Sequence, residues 1–437
     1  MEKLAILGGK KSINCVYGKD WPPIDDIDRS YVLASLEGEN HKWGPNCVAF
    51  EKEFAAWNGN EYAITTNSGT AALHMAVAAC ECGVGDEIIV PAYSWSSSAT
   101  CVIHHNAIPK FVDVDFYSMN IDVNKIEDAI TSKTKAIIVV HLHGNPVNMD
   151  KVIEIARKYN LRVIEDACQA HGAKYKNKKV GRWGDCAAFS TNQNKCLVSG
   201  EGGLFVTDDE EIYKRALQLW SFGEIRTPME NRDFHAYALG WMYRNNDLTA
   251  AFGRAQLTKL DHYIEVQRQN AQVLIEELKD IKALILPLEE DDHYHNYYNF
   301  TCKIDMDHLG YKKNHDQVRN TIVKALQEEG APVSMYQVFI LPAMTVFRAQ
   351  NAYGKGCPWS CPHQQEIKYE PERYPVAQKY CDTHFGTVWP LRAPNGEEAA
   401  RAVAGAIKKV FANLDQLDFS KEWELEDYES RETLLKL

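Results

Sequence analysis

Three short segments of this chain hold residue types that can do chemistry together. In Thr65-Thr66-Asn67-Ser68-Gly69-Thr70-Ala71, an apolar run passes through small residues into a helical pattern. Gly69 and Thr70 then stand at a helix start, where free N–H groups and the positive end of the helix dipole favour a phosphate. A plain N-cap is the competing reading. In Val163-Ile164-Glu165-Asp166-Ala167-Cys168-Gln169, an apolar run ends on two carboxylates. Strand alternation sends Glu165 and Asp166 to opposite faces, so one can face a crevice and keep a ring nitrogen protonated. A helix-capping acid is the alternative. In Phe189-Ser190-Thr191-Asn192-Gln193-Asn194-Lys195-Cys196, one lysine lies between an apolar strand and the return Gly200-Glu201-Gly202-Gly203. Most lysines are solvated. This one is flanked by small and apolar residues, and burial favours the neutral amine that a Schiff base needs. The glycines lack the G-x-G-x-x-G dinucleotide spacing. Helix start, carboxylate and lysine together are the parts needed to hold pyridoxal phosphate.

The elements that position them follow from periodicity. Apolar runs at Glu87 to Val90, Ile108 to Val114, Ala136 to His141, Leu161 to Ile164, Ala187 to Ser190 and Leu204 to Val206 read as buried parallel strands. Amphipathic stretches between them, such as Met149 to Tyr159, read as helices covering both faces. This predicts an α/β fold whose ligands bind outside the carboxyl ends of a mostly parallel sheet. Asn246 to Ile281 reads as one long connecting helix, because no Pro interrupts it. The predicted domains are a large cofactor domain over residues 1–255 and a smaller C-terminal α+β domain over 256–437. Arg348 to Tyr374, rich in Pro, Gly, Cys and aromatics, reads as a long loop over the substrate entrance. The residues from Glu422 read as an acidic tail.

The 437 residues carry 48 Lys+Arg against 60 Asp+Glu, a net charge of −12, which argues against a nucleic-acid surface. No run of about 20 apolar residues predicts a membrane span. With no secretory signal at the start, the 12 cysteines are expected as thiols in a cytoplasm.

The order and spacing of the three segments resemble the sugar aminotransferase family called DegT/DnrJ/StrS. So do Gly85-Asp86-Glu87-Ile88-Ile89-Val90-Pro91-Ala92, Asp113-Val114-Asp115, Val140-His141-Leu142-His143-Gly144 and Tyr243-Arg244-Asn245-Asn246-Asp247. The resemblance implies an aspartate-aminotransferase-like, fold type I enzyme with pyridoxal 5'-phosphate as cofactor. It implies Lys195 as the internal-aldimine lysine and proton carrier, and Asp166 as partner of the pyridinium nitrogen. Gln169 matches the residue near the cofactor phenolic oxygen and Trp95 the aromatic that stacks on the ring. Gly69, Thr70, Ala71 and Ser190 match the phosphate ligands. Arg244 or Asn245 matches a segment that reaches the partner subunit's phosphate, which makes the enzyme a homodimer with shared active sites.

By the same resemblance, a lysine at 195 separates the chain from the family's dehydratases, which typically carry His there. Leu4-Ala5-Ile6-Leu7-Gly8-Gly9 with Trp21-Pro22-Pro23 resembles the subgroup that aminates scyllo-inosose-type keto-cyclitols with glutamine, in aminocyclitol antibiotic biosynthesis. Glutamine or glutamate is the implied donor. A nucleotide-linked keto-sugar acceptor, and a dehydratase or aromatising reaction on the same fold, are the alternatives. Two residue-level expectations stand beside this. His141, at a strand end, is a candidate substrate contact. Cys357, Cys361 and His363 offer soft ligands, but C-x₃-C departs from the usual zinc spacing, and no metal is assigned.

Overall fold

The computed structural model describes residues 2–37, 44–225, 234–363, 366–421 and 423. Seven strands form the central sheet: β1 (Tyr62–Thr66), β2 (Glu87–Pro91), β3 (Ile108–Val112), β4 (Thr134–Val140), β5 (Arg162–Asp166), β6 (Cys186–Ser190) and β7 (Gly203–Thr207). Their order is β1-β7-β6-β5-β4-β2-β3. All neighbours are parallel except β7, which runs antiparallel to β1 and to β6.

Period-2 alternation divides the apolar strand residues between two cores. Ile88, Val90, Ile138, Val140 and Ile164 share a core with Leu73, Ala76 and Val77 of the helix α1 (Gly69–Ala79). Ile89, Val112, Ile137, Val139 and Val163 pack on Val152 and Ala156 of α2 (Met149–Tyr159). A sheet covered on both faces needs such near-continuous apolar strands, and its open polar ends then become the place for ligands.

The C-terminal part holds a four-stranded antiparallel sheet, Leu284–Ile285, Phe300–Ile304, His384–Thr387 and Val333–Ser334 in that spatial order. The predicted connecting helix is two helices, α3 (Asp247–Leu257) and α4 (Leu260–Leu278). The break falls at Thr258 and Lys259, where Thr258 Oγ1 donates to Ala255 O at 2.6 Å and Lys259 Nζ is drawn to Asp25 and Asp28. Side-chain attractions of this kind leave no Pro or Gly signature.

Two segments cross the predicted domain boundary. Leu4 and Ile13 lie in the C-terminal core, with Ile322, Leu326 and Ile407. The Glu329 carboxylate fixes them there, accepting from Ala5 N at 2.7 Å, Ser12 N at 3.1 Å and Ser12 Oγ at 2.8 Å. Conversely Phe347, Tyr369, Tyr374 and Tyr380 belong to the large core.

The expectation for Arg348 to Tyr374 needs correction. Its aromatics bury against the exposed edge of the sheet. Tyr369, and Phe347 just before the segment, set their rings 5.3 and 5.2 Å from Phe111 of β3, and Tyr369 Oη donates to Pro109 O at 2.8 Å. Farther along, Lys133 Nζ donates to His363 O, and a Cβ on Gly85 would lie 3.5 Å from His363 Cβ. Residues 85 and 133 precede β2 and β4, so the segment reaches the amino ends of the strands, away from Asp166. Its described residues cover an edge strand, and none of them lines the cavity at Asp166. Among the described residues no helix is long and apolar enough to cross a membrane. The predicted acidic tail from Glu422 lies, apart from Trp423, outside the described residues.

Candidate active site

A cavity of about 400 Å³ opens at the carboxyl ends of the strands, lined by residues of all three segments. Gly69 and Thr70 form one wall. Ser68 caps their helix, its Oγ accepting from Ala71 N at 3.1 Å. The Ala71 amide is thereby used, and Ala71 is not among the lining residues. Gly69 and Thr70 are left with first-turn N–H groups that have no helical acceptor. Ser190, at the end of β6, faces them so closely that a Cβ on Gly69 would come 2.8 Å from Ser190 Cβ and 3.0 Å from Cys168 Sγ. Only glycine allows this approach, and it concentrates N–H groups and hydroxyls in one small concavity.

Asp166 ends β5 with 5% of its surface exposed and lines the cavity. Ser98 Oγ donates to its Oδ2 at 2.6 Å, and Cys168 N to its Oδ1 at 3.2 Å. Glu165 points to the other face and is fully buried. It accepts from Trp183 N, Gly184 N and Gly181 N, each at 2.7 Å, and from His141 Nε2 at 3.0 Å. Burial opposes its charge, but His141 and these amides hold the carboxyl below its usual range.

That arrangement corrects the expectation for His141. Its Nδ1 accepts from Val147 N at 3.1 Å, which puts the proton on Nε2, toward Glu165. Its surface is 0% exposed, so the ring offers nothing to a substrate.

Lys195 sits on the turn after β6, where Thr191 Oγ1 and Ser199 Oγ lie 2.6 Å apart and close the loop. Its Nζ donates to Tyr298 Oη at 3.3 Å. The sequence predicts that burial dominates here. Burial does press the ammonium down, but Tyr298, Cys168 and Asp166 together outweigh it and hold the pKa above the usual lysine range. The difference lies in partners brought in from distant parts of the chain.

Trp95, half exposed, and Gln169 also line the cavity. Gln169 is already tied on both sides: its Oε1 accepts from His143 N at 2.9 Å, and its Nε2 donates to Tyr336 Oη at 2.8 Å. Arg244 and Asn245 lie beside the cavity and do not line it. Arg244 bridges to Thr66 and donates through Nη1 to Ser221 Oγ at 2.9 Å; Asn245 Oδ1 accepts from Thr249 Oγ1 at 2.6 Å. Cys357 Sγ and Cys361 Sγ lie 3.0 Å apart in the edge-covering segment and do not line the cavity.

Sequence reasoning missed Ser98, Tyr298 and Tyr336. Ser98 stands four residues after Ser94 in the first turn of the helix Ser97–His104, and that spacing was an available signal. The tyrosines had none, since only tertiary folding brings them to Lys195 and Gln169.

Residues 22–389 match the DegT/DnrJ/EryC1/StrS aminotransferase family. The chain belongs to this family. It is 40% identical over 252 residues to GDP-perosamine synthase of Caulobacter vibrioides, covering 57% of this chain and 66% of that protein. It is 32% identical over 333 residues to a putative L-glutamine:3-amino-2,3-dideoxy-scyllo-inosose aminotransferase of Micromonospora echinospora, covering 75% and 78%. Among solved structures, 3-amino-5-hydroxybenzoic acid synthase superposes with a TM-score of 0.80 at 27% identity, covering 92% of this chain and 100% of that one. The chain is thus a pyridoxal-phosphate-dependent aminotransferase of fold type I. The donor set fits the cofactor: an N–H and hydroxyl cradle at Gly69, Thr70 and Ser190 for a phosphate, a carboxylate at Asp166 for a ring nitrogen, and an amine at Lys195 for an aldehyde.

Proposed function

We propose that this aminotransferase moves an amino group from glutamine or glutamate to an uncharged keto ring, a keto-cyclitol of the scyllo-inosose type. One observation carries the choice. Among the described residues that a single chain contributes to the cavity wall, Lys195 is the only lysine or arginine, and Glu201 is an exposed acid. A diphosphate calls for clustered cations, whereas a polyol needs only hydrogen-bonding partners such as Asn192, Asn194 and Glu201. An L-glutamine:2-deoxy-scyllo-inosose aminotransferase, 36% identical over 261 residues, supports the same reading. A nucleotide-linked keto-sugar is the second reading, favoured by the 40% identity to GDP-perosamine synthase.

Bound pyridoxal phosphate supplies the electron sink for charge that develops on the carbon beside the transferred nitrogen. The chain supplies the rest. Asp166, oriented by Ser98, holds a proton on the ring nitrogen. Gly69, Thr70 and Ser190 anchor the phosphate. Trp95 covers the ring, and Lys195 Nζ takes up and returns the proton at the reacting carbon. Arg244 and Asn245, which stand beside their own cavity, serve the cavity of a second copy in a homodimer. We place the enzyme in the cytoplasm.

Purified protein should show visible absorbance that glutamine or glutamate bleaches, followed by turnover on keto-cyclitols in an acceptor panel. Lys195→Ala is expected to abolish both. Turnover only on nucleotide-linked keto-sugars would reject the cyclitol assignment, and sedimentation as a monomer would reject the shared site.

A further inference from the structure

Tyr298 faces two cations. Lys195 Nζ lies 4.8 Å from the centre of its ring and Arg392 Cζ 5.5 Å from it, while the hydroxyl accepts from Lys195 Nζ at 3.3 Å. Arg392 is only 1% exposed and is held on several sides. Its guanidinium stands 4.7 Å from the Trp21 ring and 5.2 Å from the Trp389 ring. Its Nη2 donates to Asn194 O at 2.8 Å, one residue before Lys195. Arg392 therefore touches both the backbone that carries the lysine and the ring that receives it. A buried guanidinium stacked on aromatic rings has little freedom, and the tyrosine beside it inherits that rigidity.

We propose that Tyr298 is a further catalytic residue, whose hydroxyl receives the Lys195 amine whenever it is free and aims it back at the reacting carbon, and that Arg392 is the positioning residue that fixes the ring. The proposal rests on Lys195 as the proton carrier. During transfer the lysine is detached from the cofactor. A long flexible side chain left to itself would lose the alignment that proton transfer needs, and a misplacement of about 1 Å can cost about 10²-fold in rate. Asp166, Cys168 and His171 face Lys195 from the end of β5, and Tyr298 backed by Arg392 faces it from the C-terminal part. Of these, Tyr298 is the one that hydrogen-bonds Nζ.

Tyr298→Phe keeps the ring and removes the hydroxyl. With α-deuterated donor, the first half-reaction should slow about 10²-fold and its isotope effect should rise, while cofactor content stays at the wild-type level. In the full chain stripped of cofactor, the pH at which Lys195 half-reacts with an acylating reagent, read by mass spectrometry, should fall. Arg392→Lys should move both readouts the same way by less. An unchanged isotope effect and unchanged labelling pH in Tyr298→Phe would overturn the proposal. Loss of cofactor content would overturn it too, by marking the hydroxyl as structural. Activity surviving in Lys195→Ala would instead strike the reading of Lys195 on which the proposal stands.

Discussion

Glu165 and Asp166 are neighbouring carboxylates on one strand, and the two faces of the sheet make different things of them. On the Glu165 side, three backbone amides and His141 converge, leaving no room for anything else. On the Asp166 side, one hydroxyl and one amide hold the group while its surface meets the cavity. A carboxylate whose acceptor sites are all filled ties loops together; one with acceptor capacity to spare can serve a ligand.

Mutation separates the two roles. Asp166→Asn keeps the shape and both hydrogen-bonding neighbours but removes the charge to which we assign the ring proton. We expect kcat to fall about 10³-fold with the melting temperature little changed, measured by half-reaction kinetics and calorimetry. Retention of full activity would erase the distinction. Glu165→Gln should do the reverse. Its new NH₂ would confront the Gly181 amide or the Trp183 and Gly184 amides, all donors. The expected cost is about 4 kcal/mol in denaturant unfolding, with cofactor spectrum intact in the folded fraction. Because the folded state holds the Glu165 carboxyl below its usual range, its stabilisation is present above the unfolded value and lost as pH falls through the folded one. The gap between wild type and Glu165→Gln should narrow in acid.

Glu51 sharpens the comparison as a third buried carboxylate with fewer partners. Its Oε1 accepts from Thr65 N at 2.8 Å and Thr65 Oγ1 at 2.9 Å. Burial outweighs these bonds and pushes the carboxyl up to about 7. The protonated form therefore stabilises the fold below the unfolded value, and this contribution is lost as pH rises through about 7. Glu51→Gln should flatten the pH dependence of stability between about 4.5 and about 7, by on the order of 3 kcal/mol.

These contrasts also mark where the sequence was readable. Alternation alone put Glu165 and Asp166 on opposite faces, local spacing brought Gly69, Thr70 and Lys195 to the cavity wall, and the family resemblance added Ser190, because each is positioned by its own strand end. His141 was misread because its role depends on which face Glu165 takes, and that is decided by amides at Gly181 to Gly184. Tyr298, Tyr336 and Arg392 carry no local pattern; they come to the site by packing across more than a hundred residues. The same holds for Arg348 to Tyr374, whose composition reads as a loop over the entrance until Phe111 is seen beside Tyr369.

The seating of Leu4 to Ser12 on Glu329 bears on how the chain is made. Ala5 and Glu329 stand 324 residues apart. At roughly 5–20 residues per second, a ribosome needs roughly 16–65 s to deliver the second after the first. Throughout that interval Leu4 and Ile13 have no core to enter, so an N-terminal fragment, however well its central sheet forms, emerges with an unmatched apolar end. Completion of this molecule is thus a late event in its synthesis, and nascent chains halted before residue 329 are expected to be the form most in need of a chaperone.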